Sequence, residues 1–181
     1  TSYDGRELEF DLLVTIPLHG GAPYVERSPG LGDALGFVPT DTRTLQATVK
    51  PNVFALGDAT DLPTSKAGSV THFEAEVLTE NVVRYLADEE LDARYDGHAN
   101  CFIETGFHKA LLIDFNYETE PLPGHFPTVF GLPLLRESRL NHLGKLAFQW
   151  VYWHALLPGR EIPGIGPAMP TAGKKRTPIH T

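Results

Sequence analysis

With 181 residues, 41% of them hydrophobic and 21% charged, the chain can bury the core of one good domain or of two small ones. Its formal net charge of −8 argues against a nucleic-acid partner, whose binding needs a basic face. A single cysteine excludes an internal disulfide framework and a cysteine-based zinc site, and no apolar run reaches the length of a bilayer span. The histidines show no H-E-x-x-H or paired spacing, so the sequence proposes no metal site.

In chain order, Asp4-Gly5 is a hairpin-type turn signal, and residues 8–17 are expected as a strand around the β-prone run 12–16. Residues 17–23 form a Gly/Pro-rich turn, and 38–41 and 45–48 read as two short strands. The apolar run 53–56 stops abruptly at Gly57-Asp58 and is expected as a buried parallel strand. Val70, Phe73, Val77 and Tyr85 then predict a helix over 66–86. Ligands of open α/β sheets sit at the carboxyl ends of such strands. Gly57 would let a ligand approach the backbone, and Asp58 could accept a hydrogen bond from a sugar-like hydroxyl. The Lys66-Ala67-Gly68 turn would bring N–H groups and a helix N-terminus to the same spot. For Gly-Asp alone, an ordinary turn is the alternative.

After the acidic helix end at 88–92, Tyr95-Asp96-Gly97 punctuates the chain, dividing it into 1–93 and 94–181. Residues 100–115 read as a β-hairpin around Gly106, and 120–133 as a Pro-rich loop without periodicity. A second helix is expected over 140–157, with Leu143, Leu146, Trp150, Val151 and His154 on one stripe. It is too short to span a bilayer. Its Trp and Tyr suit a headgroup boundary, and burial between two protein layers is the alternative. Residues 159–181 are expected to be irregular and partly disordered, with Lys174, Lys175 and Arg176 either solvated or touching anionic lipid. Cys101 is either a small buried hydrophobe or a nucleophile. The second role calls for a lowered thiol pKa.

Longer stretches of text carry a resemblance. Thr48-x-x-x-x-Val53-Phe54-Ala55-x-Gly57-Asp58 resembles the second flavin-binding motif of the two-dinucleotide-domain flavoprotein reductases. The continuation Pro63-Thr64-Ser65-Lys66-Ala67-Gly68 looks most like the sulfide:quinone oxidoreductase branch. Cys101, Glu104 and Gly106 match a Cys-x-x-(acid)-x-Gly setting of that family, and Gly144-Lys145-x-x-Phe148-x-x-x-Tyr152 resembles its Gly-Lys-aromatic helix. The resemblance covers most of 8–157, and 118–139 matches nothing interpretable.

The resemblance implies an α/β fold: the last part of a Rossmann-like FAD domain (ββα), then a β-hairpin and a carboxy-terminal amphipathic helix. Residues 1–93 would be the end of the second dinucleotide domain and the carboxy-terminal part of the FAD domain; 94–181 would be the redox-cysteine hairpin and the quinone- and membrane-facing helix. FAD is the implied cofactor, held by Gly57, Asp58, Lys66, Ala67 and Gly68, with Asp58 on the ribityl chain and the 17–23 turn as a wall. Cys101 would be one of two sulfur carriers, the other cysteine being absent from this chain. Lys66 would stabilise anionic reduced flavin. His72 departs from the family's usual Glu and is either a proton relay or an ordinary surface residue. Phe102, Lys145, Phe148 and Tyr152 would line the quinone pocket. The implied partners are sulfide, a quinone and a membrane surface, giving a peripheral membrane protein with the side and any homo-oligomer left open. No G-x-G-x-x-G occurs, so the chain is expected to be the carboxy-terminal part of a longer enzyme, inactive alone; a short protein that never had the first half is the alternative. A type II NADH:quinone reductase and a cofactor-free membrane-binding or scaffolding module are the competing readings.

Overall fold

Apolar residues at three- and four-residue steps give the longest element of the computed structural model, which describes residues 5–160, 162 and 164–175. Asp4 of the expected first turn and Arg176 of the basic tail lie outside these residues. After the single turn of α1 (Pro23–Glu26), helix α2 runs Gly68–Leu86 and buries Val70, Phe73 and Val77. These meet Leu45, Leu62, Tyr95 and Ala99 in the main core. The helix ends where Asp88 takes φ +57, an αL residue that Asp tolerates. There the Asp88 N–H bonds the Tyr85 carbonyl at 3.2 Å and the Glu89 N–H the Arg84 carbonyl at 2.9 Å, a Schellman-type stop.

Strands β1 (Ala99–Gly106) and β2 (Lys109–Phe115) form the expected hairpin, with Cys101 opposite Ile113 and Phe102 opposite Leu112. Its turn is Phe107-His108, both at positive φ (51° and 58°), the combination whose twist matches flanking strands. The overall architecture is mixed helix and sheet, with small antiparallel hairpins as its sheets.

Several expectations need correction. Residues 8–17 form no strand; Leu8, Leu12, Val14 and Ile16 are exposed and nothing among the described residues pairs with them. A β-prone run needs a neighbouring edge to close its hydrogen bonds, and propensity alone supplies none. The run 53–56 is not a parallel strand either. Ala47 N–H bonds the Val53 carbonyl at 2.9 Å and Ala55 N–H the Leu45 carbonyl at 3.1 Å, so 53–55 folds antiparallel onto 45–47. The short 48–52 turn brings that partner at once, whereas a parallel partner needs a crossover. The expected strands 38–41 and 45–48 are reduced to isolated bridges, including a parallel one between Val38 and Thr60.

The Pro-rich segment is also ordered. β3 (Gly124–Phe126) pairs with β4 (Leu132–Leu134), and Phe126 and Leu134 join Leu112 in a second cluster. Strands of three residues are too short to show a period. The second helix is α3 (Arg139–Val151), capped by the Ser138 hydroxyl, which accepts from Asn141 N–H at 3.0 Å; it continues into a π-helical turn, Tyr152–Leu156. It is not buried between layers: Leu143 is 60% and Trp150 64% exposed. Among the described residues no helix is long and apolar enough to cross a membrane.

The tail is ordered over 164–175. Met169 is buried and its N–H bonds Asp96 Oδ2 at 2.9 Å. The side chain of Lys174, expected as solvated or lipid-facing, is 3% exposed and pairs with Asp114. A buried carboxylate demands a cation, and the tail supplies it. His98 completes the cluster: Nδ1 donates to the Gly166 carbonyl and Nε2 faces Asp114 Oδ1, each at 2.7 Å. Its ring stacks on Phe73 of α2 at 4.4 Å.

Candidate functional site

The loop at Gly57-Asp58 is one 3-10 turn, Gly57–Ala59, held from both sides. Gly57 takes φ +63, and a Cβ there would lie 2.9 Å from Thr71 Oγ1, so both backbone conformation and close packing of α2 require glycine. Lys66 Nζ donates to the Thr60 carbonyl at 2.6 Å and lies 3.5 Å from the Gly57 carbonyl oxygen. It also sits 5.5 Å over the Phe37 ring. From below, Gly57 N–H donates to Glu74 Oε2 at 2.5 Å. This leaves Asp58 facing outward, 60% exposed, with His19 of the 17–23 turn 3.6 Å away.

Ala67 is extended and no side chain caps α2, so the first-turn N–H groups depend on what lies beyond the helix. A Cβ on Gly68 would meet nothing within 4 Å. An outward carboxylate, an uncapped helix N-terminus and open space at Gly68 together suit a ligand that brings hydroxyls and negative charge.

Cys101 stands next to this loop. The preceding residue is tied to it, since the Ser69 hydroxyl donates to the Asn100 carbonyl at 2.7 Å. Burial pushes the Cys101 thiol up from its ordinary value, and the hydroxyls of Ser69 and Ser65 pull partly against that. The thiol is therefore mostly protonated at neutral pH, the opposite of the lowered value that the nucleophile reading calls for. Successive strand residues point to opposite faces, and Phe102 packs on the other side, where a Cβ on Gly144 would come 3.4 Å from its ring. Beside it, Glu104 joins β1 to α3: Lys145 Nζ lies 3.1 Å and His142 Nδ1 3.0 Å from Glu104 Oε1. Hydrogen bonds from Lys145, then His142, hold the Glu104 carboxyl below its usual range.

The remaining expected residues divide by place. His72 pairs with Glu76 at 3.2 Å on α2, and Glu76 lines an open cleft of about 700 Å³ with Ile165, Gly166 and Ala168. Phe148 and Tyr152 lie partly exposed along α3 and its π-helical turn, with Tyr152 edge-on to Trp153. Thus Gly57, Asp58, Lys66, Ala67, Gly68 and Cys101 gather around the start of α2, whereas Phe102, Lys145, Phe148 and Tyr152 belong to the α3 side. Among the described residues no group of three or more His, Cys, Asp or Glu could hold a metal.

Sequence reasoning missed the buried polar groups Glu74 and Asn81. The signal was present, because both fall on the stripe that runs Val70, Phe73, Val77. Asn81 donates to the Thr44 and Ala93 carbonyls, each at 3.0 Å, and accepts from Ala93 N–H at 3.1 Å.

No family model matches the chain. Similar curated proteins are the mitochondrial sulfide:quinone oxidoreductases of Schizosaccharomyces pombe (36% identical, 82% of this chain and 32% of that protein), Dictyostelium discoideum (31%, 88% and 34%) and Mus musculus (29%, 84% and 33%). The chain spans about a third of the length of these relatives. Among solved structures, a chain of the Tetrahymena thermophila mitochondrial ATP synthase, in an F1Fo composite tetramer, is similar. It is 28% identical with a TM-score of 0.53, over 74% of this chain and 29% of that one.

Proposed function

The chain belongs to the sulfide:quinone oxidoreductase family, and from that premise we propose that it forms part of an FAD-dependent enzyme that oxidises sulfide and reduces a membrane quinone. The observation that carries the reading is the meeting of a lone cysteine, Cys101, with the Gly57–Gly68 loop, joined through Ser69 and Ser65. When bound, FAD would supply a two-electron acceptor between sulfur and quinone. The chain's own residues do the rest. Asp58 would accept from a ribityl hydroxyl, the start of α2 would favour negative charge on the bound group, and Lys66 would contribute positive charge near the ring. This loop and α2 would be the last part of a Rossmann-like FAD domain within 1–93; the hairpin and α3 within 94–181 would carry sulfur and quinone. The two segments share one core through Tyr95 and Ala99.

Cys101 would be one of two sulfur carriers beside the cofactor, the other being a cysteine that this chain lacks. His72, paired with Glu76, relays a proton beside the cleft. Phe102, Lys145, Phe148 and Tyr152 form the quinone side. The exposed Trp150 and Trp153 support attachment to a mitochondrial membrane surface, on a side left open along with any homo-oligomer.

The test is the absorbance spectrum of the native protein that carries this chain, before and after anaerobic sulfide. A flavin spectrum that bleaches with sulfide, and fails to bleach in Cys101→Ser, is the expected result. Bleaching with NADH alone would move the protein to the type II dehydrogenases.

A second reading rests on the similarity to the ATP synthase chain: a cofactor-free role in an assembly, with the exposed α3 face as a contact. It predicts no flavin at all.

A further inference from the structure

Helix α2 carries on its buried stripe the carboxyl of Glu74, whose protonation no role described so far uses. Glu74 has no exposed surface, and while Oε2 holds the Gly57 N–H, Oε1 is buried with no hydrogen-bond partner among the described residues. The Lys66 ammonium is committed to Thr60 and Gly57. The groups that face Glu74 are Lys66 and Asp58 from the loop, Tyr95 ahead of β1 and Tyr117 after β2. Only the first of these favours a negative charge. An ionised carboxylate with one bare oxygen is costly in such a place, and a neutral acid far less so.

The Gly57 N–H has no sheet ladder to join, because the chain leaves its pairing with 45–47 at Ala55. Glu74 is what closes it, while Lys66 closes the carbonyl side of the same turn. We propose that Glu74 is a proton-dependent positioning residue: as a neutral acid it holds the Gly57 N–H from beneath and sets where Asp58 is presented. What Asp58 then binds rests on the flavin reading above; the hold on the loop does not.

The sign of the pH effect follows from the chemistry. Burial pushes the Glu74 carboxyl up, against the pull of the Gly57 N–H and Lys66. An acid raised in the folded state stabilises below its unfolded value, and that contribution is lost as pH rises through the folded value. The loop is therefore firmest in mild acid and opens more easily as Glu74 ionises. Gln has the shape of the neutral acid and cannot ionise.

The experiment is amide exchange by NMR on the full 181-residue chain, wild type, Glu74→Gln and Glu74→Ala, from about pH 5 to about pH 8, across the range a buried carboxyl can reach. After correction for intrinsic exchange, wild-type protection of Gly57 and Thr60 is expected to fall as pH rises. Glu74→Gln should keep its low-pH protection throughout, and Glu74→Ala should exchange about tenfold faster than Glu74→Gln at every pH, the loss of one buried hydrogen bond. A wild-type profile as flat as that of Glu74→Gln, or a Gln variant as unprotected as Ala, would overturn the proposal. The flavin absorbance spectrum of the native protein that carries this chain separates the two ideas. The expected exchange pattern with no flavin in that native protein keeps Glu74's role and counts against the flavin reading. A flavin spectrum there with a flat exchange profile removes Glu74 and leaves that reading standing.

Discussion

Helices α2 and α3 have the same apolar period and opposite fates. On α2 the stripe Val70, Phe73, Val77 is buried, and its two polar members tie down loops: Glu74 holds Gly57 and Asn81 holds Thr44 and Ala93. On α3 the apolar side chains Leu140, Leu143, Leu146 and Trp150 stay exposed, and the buried residue is the polar Asn141. It donates to the Pro133 and Arg136 carbonyls at 2.9 and 3.0 Å. One helix is held to the fold by its apolar face, the other by its polar one. A period tells which residues share a face; it does not tell what that face meets.

The sharpest way to break the contrast is to cut matching side chains. Phe73→Ala should cost about 3–5 kcal/mol, since it opens a cavity and removes the stack on His98. Leu143→Ala and Trp150→Ala should change stability by less than about 0.5 kcal/mol in the same urea titration, while weakening binding to anionic vesicles. An equal loss at both helices would mean that the α3 face is covered in solution.

Next comes Asn81→Ala, which leaves the Thr44 and Ala93 carbonyls without their side-chain partner and should cost about 2 kcal/mol. Ser138→Ala removes the α3 cap and should cost about 1 kcal/mol, visible as faster amide exchange in the first turn. The smallest effect concerns Glu104. Lys145 and His142 lower its carboxyl, so its tie between β1 and α3 is present above the ordinary Glu range and is lost as pH falls through the folded value. Chemical shifts of His142 and Lys145 should follow that loss on acidification, and Glu104→Gln should abolish the response.

Much of the fold could be read because the determinants are local. The 99–115 hairpin was legible because neighbouring residues make both its strands and its tight turn. Helix α2 was legible because its stripe repeats within each turn. The apolar run 8–17 shows the limit: a strand exists only with a partner, and no property of its own residues supplies one. Lys174 shows it again, a tail lysine whose place follows from a buried Asp114 sixty residues earlier. The residues around the start of α2 were legible as text, yet Glu74, which holds their loop, was not singled out. A carboxyl on an apolar stripe acquires a role only when the folded chain brings a free N–H against it.

The sequence by itself therefore determined the two helices, the central hairpin and the grouping of Gly57, Asp58, Lys66 and Gly68, because each rests on contacts within a few residues. Only the tertiary structure decided which helix face is covered, how the tail is pinned and what lies beneath the loop. Those outcomes depend on distant segments meeting in three dimensions, where burial sets the cost of every polar group left without a partner.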